Sequence, residues 1–570
     1  MKNLEIAKIL YMIAEMLDMK GEAFKPAAYQ KAARSVESMS EDIEEVYKRG
    51  ELKEIPGVGE HIAQKIEELI KTGKSKYYED LKKQLPMKVD ELMSVPGLGA
   101  KRIMLLYQKL KIRNLKDLER AAKEHRIQKL ERFGVKIEED ILRGIEIAKT
   151  KGKRFLLGYI MPLAEEIKEK LAKLGSVDRV EIAGSYRRQR ETIGDIDILV
   201  TSSNAKEVMD YITTMSEVSD VLAKGPTKST VILKNGLQVD VRVLKSSEFG
   251  SALQYFTGNK DHNIELRKIA LSKGYTLNEY GLFKLKGKQL VAGKTEEEIY
   301  KKLGVDIMPP EMRENHGEIK LAMMHKLPKV ISYNSLKGNL HTHSTYSDGN
   351  DSIEEMAKSA EKLGFEYLGI SDHVGQLAIT HALNESRLIK QAKEIDKLNK
   401  KLGIRIFKGA EVDILKNGRL ALSRKAQEKL DFVIGSIHLG FKMSEKEMTS
   451  RIVSALENDR VHILAHPTGR LIQQREAYPL NFEKLFDTTK ETETALEINC
   501  SPERMDLNGE LCRAAKQAGC KFVVSTDAHN KSHLGYFNLG IAMARRGWLE
   551  EKDVINTFSL KKIEKILKSK

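Results

Sequence analysis

Apolar residues recur at intervals of three and four from Leu4 through Ile6, Ile9, Leu10, Ile13 and Leu17, and that spacing persists in segments to about Lys149. The front of the chain therefore predicts an all-helical region, punctuated by Gly and Pro. From Val177 the pattern shortens to the β-branched runs VDRVEIAG, DIDILV, TVILK and LQVDVRVL with helical stretches between them, which predicts a mixed α/β unit. A polar and basic stretch from Met308 to Ser335 predicts a linker with one helix. Beyond it LHTHS, YLGISDH, IRIFKGAEVD, FVIGSIH, HILAHP, ALEIN and KFVVSTDAH alternate with helical segments. Regular alternation of that kind predicts a parallel α/β barrel with functional groups at its strand ends.

Two segments of the helical front repeat in spirit. In LKEIPGVGEHIAQKIEEL and DELMSVPGLGAKRIMLLYQKL a Pro-Gly-x-Gly turn opens a helix, placing Gly57 and Gly59 in the first copy and Gly97 and Gly99 in the second. Glycine lets the turn approach a ligand closely, and the helix start offers free N–H groups to a phosphate. One such turn reads equally well as a plain helix connection; two with the same apolar flanks predict helix-hairpin-helix binding to the DNA backbone.

Composition narrows the partners. Lys+Arg is 97 against Asp+Glu 82, a net charge of +15, which favours a polyanionic partner such as nucleic acid or an anionic membrane surface. The three cysteines lie late in the chain with no CxxC spacing, so no disulfide framework or thiolate zinc site is indicated. Apolar runs fall short of the roughly 18 residues that span a bilayer, and the acidic start is unlike a signal peptide. A cytoplasmic protein is expected.

Asp195 and Asp197 stand two apart on a predicted strand and share a face, and in LQVDVRVL the valines take one face and leave Asp240 with Arg242 on the other. Three converging carboxylates repel unless divalent cations neutralise them, as two Mg²⁺ do in phosphoryl transfer. A lone Asp-x-Asp reads equally as a solvated strand face; the Gly184-Ser185 turn before it does not.

With AGSYRRQRETIGDIDIL, LQYFTGNKDHNIELRKIALSKGYTLNEYGL and PPEMREN, residues 1 to 315 resemble a family X DNA polymerase, with DNA polymerase beta as the best-known relative. The resemblance implies that Asp195, Asp197 and Asp240 hold Mg²⁺ or Mn²⁺, while Ser185, Arg188, Gly194, Arg154 and the Gly184 turn bind the triphosphate. It implies that Tyr255, Phe256 and Gly258 lie against the sugar, and that Asn263 and Arg267 reach the minor-groove side of the nascent pair. Lys260 stands where the beta enzyme has an acid, so that contact is not carried over. Lys25, Tyr29 and Lys53 match its 5′-phosphate pocket, although His61 replaces another basic position there. Lys65 matches its lyase lysine, whose Schiff-base chemistry needs an unprotonated amine.

In the last third, predicted strand ends carry His341, His343, Asp348, His373, Glu411, His438, His466, Asp527 and His529. Any one of these histidines reads best as structural, but the ring of nitrogen and oxygen donors on one rim does not. Residues 336 to 570 resemble a polymerase and histidinol phosphatase (PHP) domain. The resemblance implies up to three Mn²⁺ or Zn²⁺ ions: one on His341, His343, Glu411 and Asp527, a second on Glu411, His438 and His466, a third on Asp348, His373 and His529. Asn499 and Arg470 are further candidates to face the site, Arg470 as a phosphate clamp.

The expected fold is multidomain: all-α helix-hairpin-helix units at 1–80 and 81–150, an α/β nucleotidyltransferase palm at 151–245, a thumb at 246–315, a linker at 316–335 and an α/β PHP barrel at 336–570. The expected function is gap-filling repair synthesis on gapped or nicked DNA with dNTPs, by a monomer away from membranes. The PHP unit supplies phosphoester hydrolysis as a 3′-5′ exonuclease, 3′-phosphatase or abasic-site endonuclease. Two rivals are a template-independent nucleotidyltransferase fused to a small-molecule phosphatase, and a PHP unit kept only as a scaffold. The paired hairpins and the YFTG to NEY block speak against the first, and the complete ligand set against the second.

Overall fold

The computed structural model of the protein describes residues 3–39, 43–93, 95, 98–131, 133–150, 154–375 and 380–570. Up to Thr150 the described elements are helices, among them Asn3–Met19, Lys25–Ser38, Glu60–Thr72 and Ala100–Leu110, with one 3₁₀ turn. They close around one apolar core that runs from Ile6 and Leu10 through Ile66 and Leu69 to Ile103, Leu106 and Ile145. Both hairpins thus share a core and present their turns from a common body.

The palm is a five-stranded sheet of β1 (Val177–Ile182), β2 (Asp195–Ser202), β3 (Val218–Lys224), β4 (Lys228–Leu233) and β5 (Gln238–Leu244), in the order β1-β2-β5-β4-β3. Only the β2–β5 pair is parallel, and its register sets Asp197 opposite Asp240 and Asp195 opposite Gln238. Because strand side chains alternate, Ile196 and Ile198 go to the core while the aspartates take the other face. The helices Phe249–Thr257, Lys260–Ser272 and Glu296–Leu303 follow, with a small antiparallel sheet between the last two.

The polar stretch from Met308 to Ser335, expected as a linker with one helix, carries the helix Glu318–Met323, and its first residues are packed between the units. Arg313 is almost fully buried, its guanidinium on Glu296 at 2.5 Å and its Nε donating to the Met308 carbonyl at 2.9 Å. Glu311 and Glu314 point the other way, to Arg545 at 2.8 Å and Arg546 at 3.1 Å. Alternating orientation along EMRE therefore locks the thumb end to the C-terminal unit.

That unit is a barrel of β6 (Gly338–Asn339), β7 (Tyr367–Ile370), β8 (His373–Val374), β9 (Arg405–Asp413), β10 (Phe432–Ser436), β11 (Val461–Leu464), β12 (Ala495–Asn499) and β13 (Phe522–Ser525). Every pairing is parallel, in the order β6-β7-β9-β10-β11-β12-β13 with β8 beside β9. A parallel bridge between Thr342 and Ala528, with the His343 N–H donating to the Ala528 carbonyl at 2.8 Å, brings the two ends nearly together. The barrel and palm share one apolar core. A Cβ on Gly158 of the palm helix Leu157–Ala172 would lie 2.7 Å from Leu539 and from Pro502 of the barrel side. Among the described residues no helix is long and apolar enough to cross a membrane.

Candidate active sites

In the palm, the sheet register delivers the carboxylates. Burial and the charges of Asp195 and Asp240 push the Asp197 carboxyl up to about 7, and burial and Asp240 raise Asp195 as well. This is the signature of anions crowded in low dielectric, and a cation placed among them would relieve it. Asp240 is fixed by Thr230 Oγ1, which donates to it at 2.5 Å, and by Gln238 Nε2 at 2.7 Å. Sequence reasoning passed over Thr230 and Gln238, although Gln238 lies two residues before Asp240 on its face.

Gly184 has φ +65°, and a Cβ there would lie 2.8 Å from Asp197 Oδ2; the turn thus brings backbone against the carboxylate as only glycine can. It opens the short helix Gly184–Arg187 that holds Ser185. Arg154 lies beside Gly194, 3.6 Å from the position of a Cβ on it, with Nε donating to Thr192 Oγ1 at 2.7 Å. Arg188 donates to the Thr257 carbonyl and, from Nε, to Glu314 at 3.2 Å. Tyr255 and Phe256 meet edge to face at 5.1 Å, and the Arg242 guanidinium covers Phe256 at 4.6 Å. Gly258 has φ +66° with Arg188 3.2 Å from its would-be Cβ; Asn263 donates to the Tyr255 carbonyl at 2.7 Å, and Arg267 to the Asn263 carbonyl at 3.3 Å. Arg188, Tyr255, Gly258, Asn263 and Arg267 are thereby linked along one palm-to-thumb seam, while Arg154 and Gly194 meet each other beside Thr192.

In the first hairpin Gly57 has φ +87° and its would-be Cβ lies 2.8 Å from Lys31, so helix Lys25–Ser38 packs tightly on the turn. Gly59 and Gly99 are the N-caps of the helices Glu60–Thr72 and Ala100–Leu110, with open space about their Cα positions and no side chain capping either helix. Such helix starts leave N–H donors for an anion. Gly97 lies outside the described residues. Lys25 pairs with Glu22 at 3.1 Å and Lys53 with Glu60, and Tyr29 is buried in a stack on Tyr77 with centroids 6.3 Å apart. Lys65 stands over the same Tyr77 ring at 4.5 Å and donates to the His61 carbonyl at 3.1 Å; partial burial lowers its amine below the usual lysine range.

All nine candidate ligands of the barrel come together at the C-terminal rim. One group is His343, Asp348, His373 and His529, another His341, His343 and Asp527, a third His373, Glu411 and His438; within each, one donor atom per residue lies within 4.8 Å of the others. His466 Nε2 joins at 3.1 Å from Glu411 Oε1. His341 and His343 do not end a strand, as the sequence predicted, but follow β6 in the segment whose single bridge to Ala528 brings the barrel ends together.

The ring orientations come from a surrounding layer that sequence reasoning missed. Glu497 accepts from His341 Nδ1 at 2.7 Å and from the His466 N–H at 2.7 Å, Asp413 is 2.7 Å from His438 Nδ1, and the Asp527 carbonyl is 2.8 Å from His529 Nδ1. For His341, His438 and His529 this leaves the other ring nitrogen aimed at the cluster, as metal-ligating imidazoles require. Asp413 was legible, lying two residues beyond Glu411 on one strand face; Glu497 is legible only once ALEIN is seen to line the same rim.

His341 Nε2, His343 Nδ1, Glu411 Oε2 and His466 Nδ1 are buried without a hydrogen-bond partner. Glu411 Oε2 has imidazole nitrogens of His373, His341 and His343 at 2.7, 3.5 and 3.7 Å and a well-formed bond with none. Orphaned donors of this type around a buried carboxylate fit divalent cations. Burial and the neighbouring imidazoles hold His343 down to about 3, whereas, although burial opposes it, the carboxylates raise His341 and bring His438 and His529 up to about 9, and the same histidines hold Glu411 and Asp527 well below the carboxylate range, so that a bound cation would take the place of the ring protons. Neutral imidazole and ionised carboxylate are the ligand forms.

Arg470 does not face this cluster. Its guanidinium meets Glu191 of the palm at 2.6 Å and the Arg504 carbonyl at 2.9 Å, because the loop after His466 turns outward onto the palm. The arginine at the site is Arg504, with Nε 3.6 Å from Asp527 Oδ2, and Asn499 donates to Asp527 at 3.2 Å.

Comparison with known families follows the same division. The chain matches the helix-hairpin-helix domain over residues 1–75, the SAM-like helix-hairpin-helix tandem over 89–146, the DNA polymerase beta palm over 160–263, the DNA polymerase beta thumb over 252–314 and the PHP domain over 339–501. It is 37% identical over its whole length, and the whole of the relative, to the DNA polymerase/3′-5′ exonuclease PolX of Bacillus subtilis (strain 168). A probable phosphatase of Thermoanaerobacter sp. (strain X514) is 30% identical over 40% of this chain and 94% of its own. Another, from Syntrophotalea carbinolica, is 27% identical over 38% and 90%.

Proposed function

The chain belongs to the family of the DNA polymerase/3′-5′ exonuclease PolX, and on that premise we propose that it fills short gaps in DNA while its barrel hydrolyses phosphoesters at 3′ ends. It is an enzyme with two metal-dependent centres, and the observation that carries the reading is their presence on one continuous core: a carboxylate set in palm register and an imidazole-carboxylate ring at the barrel rim.

Gly59 and Gly99 offer helix N-termini to the DNA backbone on both sides of a gap, with Lys25, Tyr29 and Lys53 toward a 5′-phosphate. Ser185, Arg188, Gly194 and Arg154 take the dNTP triphosphate, and the Tyr255 to Gly258 segment lies against the deoxyribose. Asp195, Asp197 and Asp240 would hold Mg²⁺ or Mn²⁺ and the nine rim residues up to three Mn²⁺ or Zn²⁺, which would supply charge neutralisation in the palm and activation of a water in the barrel. Asp240 is held in place by hydrogen bonds from Thr230 and Gln238. At the rim Glu497 and Asp413 hold His341 and His438 in their tautomers, and Arg504 offers a cation to the phosphoester.

The lowered amine of Lys65 supports a second activity on the same DNA end, Schiff-base release of a 5′-deoxyribose phosphate, since a nucleophilic lysine must lose its proton. The test of the whole reading gives the purified chain an end-labelled one-nucleotide gap with Mg²⁺ or Mn²⁺, with and without dNTPs. Extension by one nucleotide and shortening from the 3′ end are expected on one gel; neither, with metals supplied, refutes it.

A further inference from the structure

We propose that Arg546, in the last turn of the barrel helix Phe537–Arg546, is a positioning residue for nucleotide binding in the palm. The proposal rests on the reading of Arg188 as a triphosphate contact. Arg188 is held at two points, the Thr257 carbonyl and Glu314 Oε1. The same Glu314 Oε1 accepts from Arg546 Nη1 at 3.1 Å, and that nitrogen also donates to the Arg188 main-chain carbonyl at 2.9 Å. Arg190 lies 3.7 Å from Glu314 Oε2, and Asn259 donates to it at 2.9 Å. Burial opposes ionisation of Glu314, but Arg546, Arg188 and Arg190 together keep its carboxyl below the ordinary range.

One buried carboxylate among three guanidiniums leaves positive charge uncompensated beside the nucleotide seam, a field that attracts a triphosphate. Arg546 also shares Glu314, so Arg188 does not spend its whole hydrogen-bonding capacity on that acid. Without Arg546, Glu314 would draw Arg188 into a closer pair and away from an incoming triphosphate, and the loop after Ser185 would lose its anchor at the Arg188 carbonyl. The aim of Arg546 is built in. Arg545 beside it is fastened to Glu311 at 2.8 Å and to the Ile331 carbonyl at 2.7 Å, and Gly509 clears its path, since a Cβ there would lie 2.6 Å from Arg546 Cβ. A residue of the hydrolytic unit thereby tunes the affinity of the polymerase for its nucleotide.

The experiment compares R546M, R546K and R188A in the full chain on a one-nucleotide gap. R546M should raise KM for dNTP about tenfold, the cost of one charge-assisted contact, with kcat within about threefold, KM for gapped DNA unchanged and 3′-end hydrolysis intact. R546K, which keeps a cation within reach of Glu314, should recover most of the loss. An unchanged dNTP KM in R546M alongside a raised one in R188A overturns the positioning role. A parallel loss of hydrolysis in R546M overturns it too, by showing a general structural effect. An unchanged dNTP KM in R188A would instead remove the triphosphate reading on which the proposal stands.

Discussion

Gly184→Ala isolates the contribution of one missing atom to polymerisation. The residue sits at φ +65°, and the added Cβ would lie 2.8 Å from Asp197 Oδ2, where ordinary contact begins at 3.4 Å. The carboxylate must therefore move by about the 0.6 Å difference, or the turn must open. Holding an L-residue in the left-handed region costs about 1–2 kcal/mol, which lowers the melting midpoint of a unit this size by a few degrees. The functional loss should show while the unit is still folded. A misplacement of about 1 Å in a group that sets reactive geometry can cost about 10²-fold, so a shift of about 0.6 Å should cost about tenfold, and Asp197 is already crowded enough for its carboxyl to stand at about 7. Single-turnover insertion into a one-nucleotide gap at saturating Mg²⁺ should fall about tenfold or more while 3′-end hydrolysis stays at its parent rate. Insertion within threefold of the parent would refute the argument that Gly184 exists to let the turn reach Asp197; an equal fall in hydrolysis would show misfolding instead.

Asp240→Ala should abolish nucleotide addition and spare hydrolysis, and extension above a few per cent of the parent would remove Asp240 from the metal set. Glu411→Ala should do the reverse, and its bound-metal content after gel filtration should drop; unchanged metal and persistent nuclease would count against the rim assignment. Borohydride with a 5′-deoxyribose phosphate substrate should trap a covalent adduct in the parent and none in Lys65→Ala, and trapping that is absent or unchanged would leave the front helices as a DNA grip alone. Burial disfavours the Glu296 charge, but Arg313 and Arg187 outweigh it and hold the carboxyl down to about 2 from an ordinary 4.5. A depressed acid stabilises above its unfolded value and loses that contribution as pH falls from about 4.5 toward 2, on the order of 3 kcal/mol. Glu296→Gln should lower the melting midpoint at pH 7 and flatten its decline across that window; a parallel decline in both proteins would exclude the triad as an acid-labile lock.

What was legible in the sequence was whatever a local period encodes. Two-residue alternation placed Asp195 and Asp197 on one face, strand ends predicted the rim, and paired Pro-Gly-x-Gly turns predicted the hairpins. What was not legible depends on which distant segments meet. Arg470 was a reasonable phosphate clamp from its place after His466, yet the loop turns to Glu191, 279 residues earlier, while Arg504 from an unremarked turn takes the position beside Asp527. The contacts of Glu311, Arg313 and Glu314 were not legible either: PPEMREN reads as the close of the polymerase unit, and nothing local reveals that Glu296, Arg545 and Arg546 meet it. Polar residues are read as exposed unless their partners are known, and these partners lie far off in the chain.

The shared core of palm and barrel has a consequence for synthesis of the chain. Gly158 packs on Leu539, 381 positions later by residue number, so the apolar back of the palm is made long before its cover. At about 5–20 residues per second on the ribosome, that surface stays bare for roughly 20 to 75 s. Slow codons or starvation within the barrel coding region would lengthen the wait and expose a nascent polymerase to aggregation and proteolysis, before the part that shields it has been translated.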